Sequence, residues 1–489
     1  MPASFAPSAQ ELWRFAPEML LAAAATFIMV LEPFTSAGQK GRLAWLALLS
    51  LLAAAGLAAL GASDAGPAFS NMLLVDEFGT FFRILVLGAG VLTILISTHY
   101  LRSGGHESGE YYALLLFSIV GQCLMATANE LIMLFIGLEV SSIASYVLAG
   151  YLRDDKRNNE SALKYFLLGS FATAFLLYGI AWIYGITGTT DLNQIRSALL
   201  DPATRPNGVL TAAASAFLFV GLAFKVSAAP FQMWTPDVYQ GAPAPVTAFL
   251  SAGPKAAAFA MFLRVILTGF EPLKKDWEPL LWISALATMM IGNFAALRQT
   301  NVKRLLAYSS IAHAGYVMVA LTVHSGSGAA AAMFYLAAYC LMNIGAFAII
   351  THVAGQGERY VEIHDLSGLG TRQPWMAGLL TVFLLSLTGI PLTAGFFGKF
   401  YIFKAALDAN FVWLAVLGLL NSALAAYYYL RLIVVMYMQP APEGDQAALP
   451  APTAGVWVTA AASAAATFLL GLFPATILDF ADKASKIFE

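Results

Sequence analysis

The sequence predicts an all-α polytopic membrane protein with about 14 transmembrane helices, and three observations support this fold class. Hydrophobic residues make up 59% of the 489 residues and charged residues only 11%, whereas soluble domains carry about 25% charged residues. Apolar runs of about 20 residues, long enough to cross a bilayer as a helix, recur along the whole sequence. The segments between them are short and polar, so residues 1–489 are interpreted as one integral-membrane domain.

The apolar runs are bounded by charged residues, glycine or proline, and they fall into two sets of seven. The first set lies at about 16–34, 43–61, 78–98, 111–128, 130–150, 162–186 and 210–229. The second lies at about 244–268, 279–297, 304–323, 328–354, 376–404, 411–438 and 455–476. An even number of spans places both termini on one side of the membrane.

The distribution of basic residues predicts the orientation. The basic loop from Arg153 to Arg157 is expected to be cytoplasmic, which leaves both termini periplasmic. Residues 1–17 lack the basic, apolar and small-residue pattern of a removable signal peptide. An alanine-rich chain without a presequence indicates a bacterial inner membrane.

Two spans are interrupted by proline in a comparable way. In span 7, Lys225 is followed by Pro230, and in span 12 the segment 388–395 (TGIPLTAG) precedes Lys399. Proline frees backbone groups that are tolerated at membrane depth only within protein or water. Broken helices at corresponding positions indicate a transport site between inverted repeats; a simple proline kink is the alternative.

The predicted repeats divide the chain into four segments. A three-helix segment (1–100) precedes the first repeat, spans 4–8 (111–268), and the second repeat, spans 9–13 (279–438), is followed by a last span (455–476).

Composition and motifs exclude several functions. A net charge of −2 leaves no basic excess for nucleic acid, so nucleic acid is not an expected partner. Cys123 and Cys340 each lie in an apolar run, which predicts buried, inert thiols rather than a disulfide or a metal site. No Walker A motif is present. Gly88 to Thr93 resembles a dinucleotide-binding loop but lies inside a span, so it is interpreted as helix packing.

Five ionisable residues lie deep within apolar runs: Glu139, Lys225, Lys255, His313 and Lys399. A central lysine or acid costs about 2.5 to 3.5 kcal/mol on insertion scales, so these groups are expected to face the interior, paired or hydrated. A contact between Glu139 and Lys225 that forms and breaks would switch Lys225 between holding and releasing a proton. The alternative is a static ion pair that fixes helix packing.

The remaining charged residues in the spans lie nearer their ends. Lys164 can reach the interface by snorkelling, although a functional role is also open. His313, one of the five deep residues, titrates near neutrality if unperturbed and is interpreted as a relay; the alternative is a histidine that is only hydrogen-bonded. Four other cations are expected to be interfacial anchors: Arg83, Arg264, Lys404 and Arg431.

One long motif resembles a known family. Residues 221–243 read GLAFKVSAAPFQMWTPDVYQGAP, residues 305–316 read LLAYSSIAHAGY, and residues 137–139 read GLE. These motifs resemble the antiporter-like subunits of respiratory complex I, and the resemblance covers essentially the whole chain. The length argues against the largest member of the family, and lysine rather than glutamate at position 399 argues against the middle one, which leaves the third.

The resemblance implies a proton-translocating subunit driven by quinone reduction elsewhere in the complex. Glu139, Lys225, Lys255 and Lys399 match the essential positions of the family, and Lys164 and His313 match secondary ones. It also implies that NADH, FMN, iron–sulfur clusters and quinone are bound by other subunits and none by this chain. The implied partners are another antiporter-like subunit, small membrane subunits and the lipid bilayer. Gln232 departs from the histidine of many relatives and cannot titrate.

The residues and the resemblance together give a mechanistic hypothesis. Lys225 accepts a proton from the cytoplasmic side, Lys255 and His313 pass it through bound water, and Lys399 releases it outward. Three alternatives remain: a subunit of a multi-subunit sodium/proton antiporter, a non-pumping scaffold with static charge pairs, and a single-polypeptide transporter. No redox centre is expected in this chain.

Overall fold

Helices form nearly all the regular structure of the computed structural model, which describes residues 6–201, 208–441 and 449–488. Four helices come first, with a short hairpin before the fourth: α1 (Ala9–Arg14), α2 (Ala16–Leu31), α3 (Gly41–Gly61), strands β1 (Gly66–Ala68) and β2 (Leu73–Val75), and α4 (Glu77–Ser103). The two strands pair antiparallel.

The middle of the chain contributes ten helices: α5 (Gly109–Thr127), α6 (Leu131–Ala149), α7 (Lys156–Thr187), α8 (Leu192–Leu200), α9 (Gly208–Val226), α10 (Trp234–Gly241), α11 (Ala244–Arg264), α12 (Lys274–Ala296), α13 (Val302–Val323) and α14 (Gly326–Ala354). Six follow: α15 (Leu369–Arg372), α16 (Pro374–Thr388), α17 (Ala394–Asp408), α18 (Val412–Met438), α19 (Ala454–Leu472) and α20 (Ala475–Ser485).

Thirteen helices among the described residues are long and apolar enough to cross a membrane, which confirms the all-α membrane fold class. Several begin earlier than predicted because a polar side chain caps a helix that extends past the apolar run. For example, Asp155 caps α7 by accepting a hydrogen bond from the backbone N–H of Arg157, so the helix begins at Lys156, six residues before the predicted start at 162.

Both predicted interruptions are present. Residues 227–233 separate α9 from α10, and Ser227 has a left-handed φ of 65°. The run predicted as span 12 is divided into α16 and α17, with left-handed φ angles of 96° at Gly389 and 72° at Leu392. Lysines stand next to both breaks, with Lys225 before the first and Lys399 after the second.

The helices differ greatly in burial. In the span formed by α11 and the π-helical turn after it, 100% of the most apolar stretch is buried. The corresponding value is 94% for α13 and α14, and only 39% for α7 and α18. Helices α11, α13 and α14 therefore form the centre of the molecule. Lys255 and His313 lie on these central helices.

The expectation that Arg83 and Arg264 are interfacial anchors is wrong. The Arg83 guanidinium is buried and lies 2.7 Å from the Glu18 carboxylate, and that of Arg264 donates to both oxygens of Asp76 at 2.8 and 2.9 Å. A buried guanidinium needs an anionic partner, and here that partner lies on a distant part of the chain.

The other two predicted anchors are closer to expectation. Lys404 is largely exposed and pairs with Asp408 one turn later at 3.1 Å. Arg431 is half-buried and donates to the Gln299 carbonyl oxygen at 3.2 Å.

Two smaller expectations are met. Cys123 and Cys340 are both buried and free. The segment 88–93 lies within α4, and a Cβ added at Gly90 would collide with the Ile119 side chain, as expected for a glycine that packs helices.

Candidate functional site

Lys225 lies in the last turn of α9, immediately before the first break. Its buried ammonium donates a 2.7 Å hydrogen bond to the hydroxyl of Ser142 on α6 and lies 5.9 Å from the centre of the Tyr165 ring. The helix ends here because Ser227 takes a left-handed conformation and Pro230 follows. The break thus leaves Lys225 facing a hydroxyl group inside the protein.

Glu139 is near Lys225 but does not bind it directly in this structure. Both lie on the α6–α9 side, close enough to interact electrostatically, yet no ion pair within 4.0 Å joins them among the described residues. One Glu139 carboxylate oxygen is buried without a hydrogen-bond partner among those residues. Ser142, which is one turn further along α6, takes the Lys225 ammonium instead.

Lys255 follows Pro254 inside α11 and is buried among central helices. Its ammonium donates to the carbonyl oxygen of Ser310 at 3.0 Å and also to the Ser310 hydroxyl. The Tyr339 ring centre lies 5.9 Å away. Lys255 is therefore held against α13 by oxygen atoms alone.

His313 lies on α13, one turn after Ser309 and Ser310, and both of its ring nitrogens are hydrogen-bonded. Nδ1 is 2.5 Å from the Tyr335 hydroxyl on α14, and Nε2 is 3.0 Å from the Tyr429 hydroxyl on α18. The Tyr429 hydroxyl also bonds the Ser309 hydroxyl. This chain of side chains begins next to the Lys255 contact at Ser310.

Lys399 lies in the first half of α17 and reaches back across the second break. Its ammonium donates to the carbonyl oxygens of Leu387 and Thr388 at 2.9 and 2.8 Å, and to the Ser422 hydroxyl at 2.8 Å. The last carbonyls of a helix lack intrahelical partners and carry partial negative charge. The end of α16 is thus a binding site for the Lys399 cation.

Lys164 differs from the other three lysines because it has carboxylate partners and is partly exposed. It pairs with Glu160 and with Asp237 of α10, each at 2.7 Å, and Arg304 of α13 also binds Asp237 at 2.7 Å. Burial raises the pKa of Asp237, but the hydrogen bonds from Lys164 and Arg304 outweigh it, so that this pKa lies below its ordinary value. Lys164 is the most exposed of the four predicted site lysines.

The structure brings most of the predicted residues into two groups. The first group, Lys225 and Glu139, lies near the first break. The second group is Lys255 and His313, which are connected through neighbouring residues of α13. Lys399 lies by itself at the second break. Sequence reasoning missed five of their polar partners, which are Ser142, Tyr335, Tyr429, Ser422 and Asp237. Hydroxyl residues inside apolar runs are the available signal, but such residues also serve ordinary helix packing.

No group of three or more histidine, cysteine, aspartate or glutamate side chains among the described residues could hold a metal ion. The atoms that accept hydrogen bonds from Lys225, Lys255 and Lys399 are hydroxyl and carbonyl oxygens.

Many apolar helices, two of them broken, with unpaired titratable side chains inside, define a membrane transport protein. The family model described as NADH:quinone oxidoreductase/Mrp antiporter, TM, matches residues 128–425. The chain belongs to this family. The match contains all six predicted site residues.

The relatives agree with the third family member expected from the sequence. NADH-quinone oxidoreductase subunit N 1 of Solibacter usitatus is 58% identical over 486 residues, which cover 99% of both chains. A chain of respiratory complex I from Thermus thermophilus with bound aureothin is 34% identical, with a TM-score of 0.81 over 95% of this chain and 98% of that one. A chain of the Mrp complex from a Dietzia species is 20% identical, with a TM-score of 0.85 over 96% and 97%, and it shows the common fold alone.

Proposed function

We propose that this chain is a proton-translocating membrane subunit of an NADH:quinone oxidoreductase, in which other subunits carry out electron transfer. Its family membership and its 58% identity to a subunit N support the assignment. The much lower identity to the Mrp chain weighs against a sodium/proton antiporter subunit.

One observation about the site carries the proposal. Lys225, Lys255 and Lys399 are all buried, and among the ion pairs of the described residues none involves any of the three. Each is held by hydroxyl or carbonyl oxygens. Lysine, unlike arginine, can exist as a neutral amine inside a protein, so each of these sites can change its charge by binding or releasing one proton.

The proposed path follows the order of the lysines. Lys225 accepts a proton from the cytoplasmic side, Lys255 and His313 pass it on through bound water, and Lys399 releases it outward. The separation of Glu139 from Lys225 supports a gate at the entrance. An anion that approaches Lys225 stabilises its ammonium, and an anion that withdraws favours release of the proton.

Lys164 has a different proposed role at the cytoplasmic end. Its contacts with Glu160 and Asp237 place a cation near the α10 segment that follows the first break. We propose that it holds the α10 segment in place at the entrance, because it forms an ion pair with Asp237 of that segment.

The assembly proposed around the chain follows from its relatives. Its partners are another antiporter-like subunit, small membrane subunits and lipid, and NADH, FMN, iron–sulfur clusters and quinone belong to other subunits. We further propose a bacterial inner-membrane location with periplasmic termini, and two inverted repeats at 111–268 and 279–438. The two breaks, after Lys225 and before Lys399, support this division.

The first test replaces Lys225 with alanine in the assembled complex. Proton translocation driven by NADH should fall about tenfold or more, because positioned proton-transfer groups contribute about 10²–10⁴-fold to rates. Proton uptake into membrane vesicles and assembly on native gels are measured together. Lys404→Ala is the matched control, since Lys404 is exposed and paired with Asp408, and it should pump as the wild type does.

The outcomes separate the alternatives. Wild-type pumping by an assembled Lys225→Ala complex contradicts the proposal. If no lysine variant ever separates assembly from pumping, the charges are structural and the chain is a scaffold. Sodium-dependent proton movement without NADH oxidation would indicate an antiporter subunit.

A further inference from the structure

The imidazole of His313 is enclosed by two tyrosine hydroxyls from two different helices. Tyr335 on α14 bonds Nδ1 at 2.5 Å, and Tyr429 on α18 bonds Nε2 at 3.0 Å. His313, Tyr335 and Tyr429 are 2%, 1% and 0% exposed, so bulk solvent does not reach these hydrogen bonds. The ring is therefore oriented by the two hydroxyls.

A tyrosine hydroxyl suits this position because it can both donate and accept a hydrogen bond. Neutral histidine carries one N–H and one bare nitrogen, in either of two tautomers, and protonated histidine carries two N–H groups. With a hydroxyl on each nitrogen, all three states keep both hydrogen bonds. A carbonyl or an ammonium in either place would satisfy only some of these states.

The two tyrosines also connect His313 to both neighbouring lysines. The Tyr429 hydroxyl bonds Ser309, whose chain neighbour Ser310 accepts hydrogen bonds from Lys255. The Tyr335 ring packs against Gly398, the residue before Lys399, and a Cβ added there would lie 2.8 Å from the ring. Tyr335 and Tyr429 together are called the tyrosine cradle. Tyr429 lies on the side of His313 towards Lys255, and Tyr335 lies on the side towards Lys399.

We propose that Tyr335 and Tyr429 both orient His313 and relay its protons, so that His313 gains a proton at Nε2 and loses one at Nδ1 without losing a hydrogen bond. This inference rests on the proposed function, since it assigns a direction to the step between Lys255 and Lys399. It adds two residues that act through His313 and that the sequence did not single out.

The step is balanced as follows. The Lys255 ammonium protonates a bound water, and that water gives a proton to the Ser309 hydroxyl. Ser309 passes its own hydroxyl hydrogen to Tyr429, and Tyr429 passes its own to Nε2 of His313. Nδ1 then gives its hydrogen to Tyr335, which passes its own to a bound water on the side of Lys399. One proton enters and one leaves, and each hydroxyl keeps one hydrogen. His313 starts as the neutral imidazole with its hydrogen on Nδ1 and ends as the neutral imidazole with its hydrogen on Nε2, so the first tautomer must be restored before a second proton can pass.

The test removes single hydroxyl groups and leaves the rings in place. Tyr429→Phe and Tyr335→Phe should each lower NADH-driven proton translocation about tenfold in the assembled complex, within the range for leaving a buried hydrogen-bonding group unpaired. Two buried tyrosines on α5 are the controls: the Tyr111 hydroxyl is hydrogen-bonded to the Ser97 hydroxyl at 2.8 Å, and the Tyr112 hydroxyl donates to the Glu107 carboxylate at 3.4 Å. Tyr111→Phe and Tyr112→Phe should pump as the wild type does.

A double variant distinguishes positioning from general packing. If Tyr429 acts through His313, then His313→Ala with Tyr429→Phe should pump no less than His313→Ala alone, whereas independent effects would multiply.

The inference is overturned if both test variants pump normally, if the control variants lose as much, or if both test variants fail to assemble. Normal pumping by Tyr429→Phe and Tyr335→Phe together with loss in Lys225→Ala removes the tyrosine cradle but leaves the proposed function standing. Normal pumping by Lys225→Ala removes the proposed function itself.

Discussion

The lysines of this protein fall into two chemical classes. Lys164 and Lys303 have carboxylate partners, Asp237 and Glu358 respectively. Lys225, Lys255 and Lys399 donate hydrogen bonds only to hydroxyl and carbonyl oxygens, and none of them forms an ion pair among the described residues. Hydroxyl and carbonyl dipoles stabilise an ammonium less than a carboxylate does. When the proton departs, however, they leave no unpaired negative charge buried beside the neutral amine. The second class is therefore suited to moving protons and the first to holding structure.

Asp237 allows a prediction about pH at the single-residue level. Lys164 and Arg304 hold its pKa below the ordinary value, so the stabilising contribution of its charge is present above the unfolded pKa of about 3.9 and is lost only as the pH falls through the lower folded value. Asp237→Asn removes the negative charge that binds Lys164 and Arg304, so it should lower pumping severalfold. Because Asp237 is ionised throughout the range from about pH 6 to 8, the shape of the pH profile of pumping in that range should stay that of the wild type. A profile displaced along the pH axis would contradict this assignment.

Sequence reasoning at this scale found the charges but not their surroundings. Lys225, Lys255 and Lys399 could be predicted because each is flanked by apolar residues on both sides. Ser142 and Ser310 could not, since they lie 83 and 55 residues away from the lysines that they bind. The same limit explains the error at Arg264, whose partner Asp76 lies 188 residues away.

At the level of the elements, the second break creates a cation site from a helix end. The interruption leaves the last carbonyls of α16 unpaired, and Lys399 of α17 supplies the missing donor. The sequence predicted the break from Pro391 and its glycines. It could not predict that the lysine folds back over the end of the preceding helix, because that depends on the left-handed turn at Gly389 and Leu392.

Gly389→Ala tests this geometry. At a φ of 96° alanine is strained by about 1–2 kcal/mol, and its Cβ would lie 3.1 Å from the Lys399 Cδ. We expect an assembled complex whose proton translocation is reduced severalfold, measured as vesicle acidification on NADH addition. Gly378→Ala, on the same helix with no atom within 4 Å of the new Cβ, should be neutral; equal loss in both variants would exclude a specific effect on Lys399.

For the molecule as a whole, one buried ion pair joins two N-terminal helices to each other and a second joins them to the centre of the molecule. Arg83 on α4 pairs with Glu18 on α2, and Arg264 at the end of α11 pairs with Asp76 at the start of α4. Hydropathy alone predicted the fold class and most of the membrane-crossing helices, because apolar length is a local property. Which sides of those helices face one another depends on pairs such as these and was not predictable from one sequence.

Asp76→Asn tests whether the negative charge of Asp76 stabilises the protein independently of the hydrogen bond by which Asp76 caps α4. Asp76 also accepts a hydrogen bond from the Gly79 N–H at 2.6 Å, and asparagine preserves that capping role. An uncompensated Arg264 should cost about 3–5 kcal/mol, seen as loss of the complex on native gels and a lower Tm. Asp64→Asn removes the partner of the more exposed Arg14 and should cost at most about 1 kcal/mol. Similar losses in both variants would mean that burial of the pair is not what matters.

The Glu358 carboxylate connects three segments that are far apart in the sequence. It accepts hydrogen bonds from the Tyr100 hydroxyl of α4 at 2.8 Å, from the Ala244 N–H at the start of α11 at 2.5 Å, and from the Lys303 ammonium of α13 at 2.5 Å. Three helices thus share one anchoring point at one end of the bundle. If α13 tilts against α11 during a transport cycle, this carboxylate is a fixed pivot, and the displacement grows with distance along both helices towards Lys255 and His313.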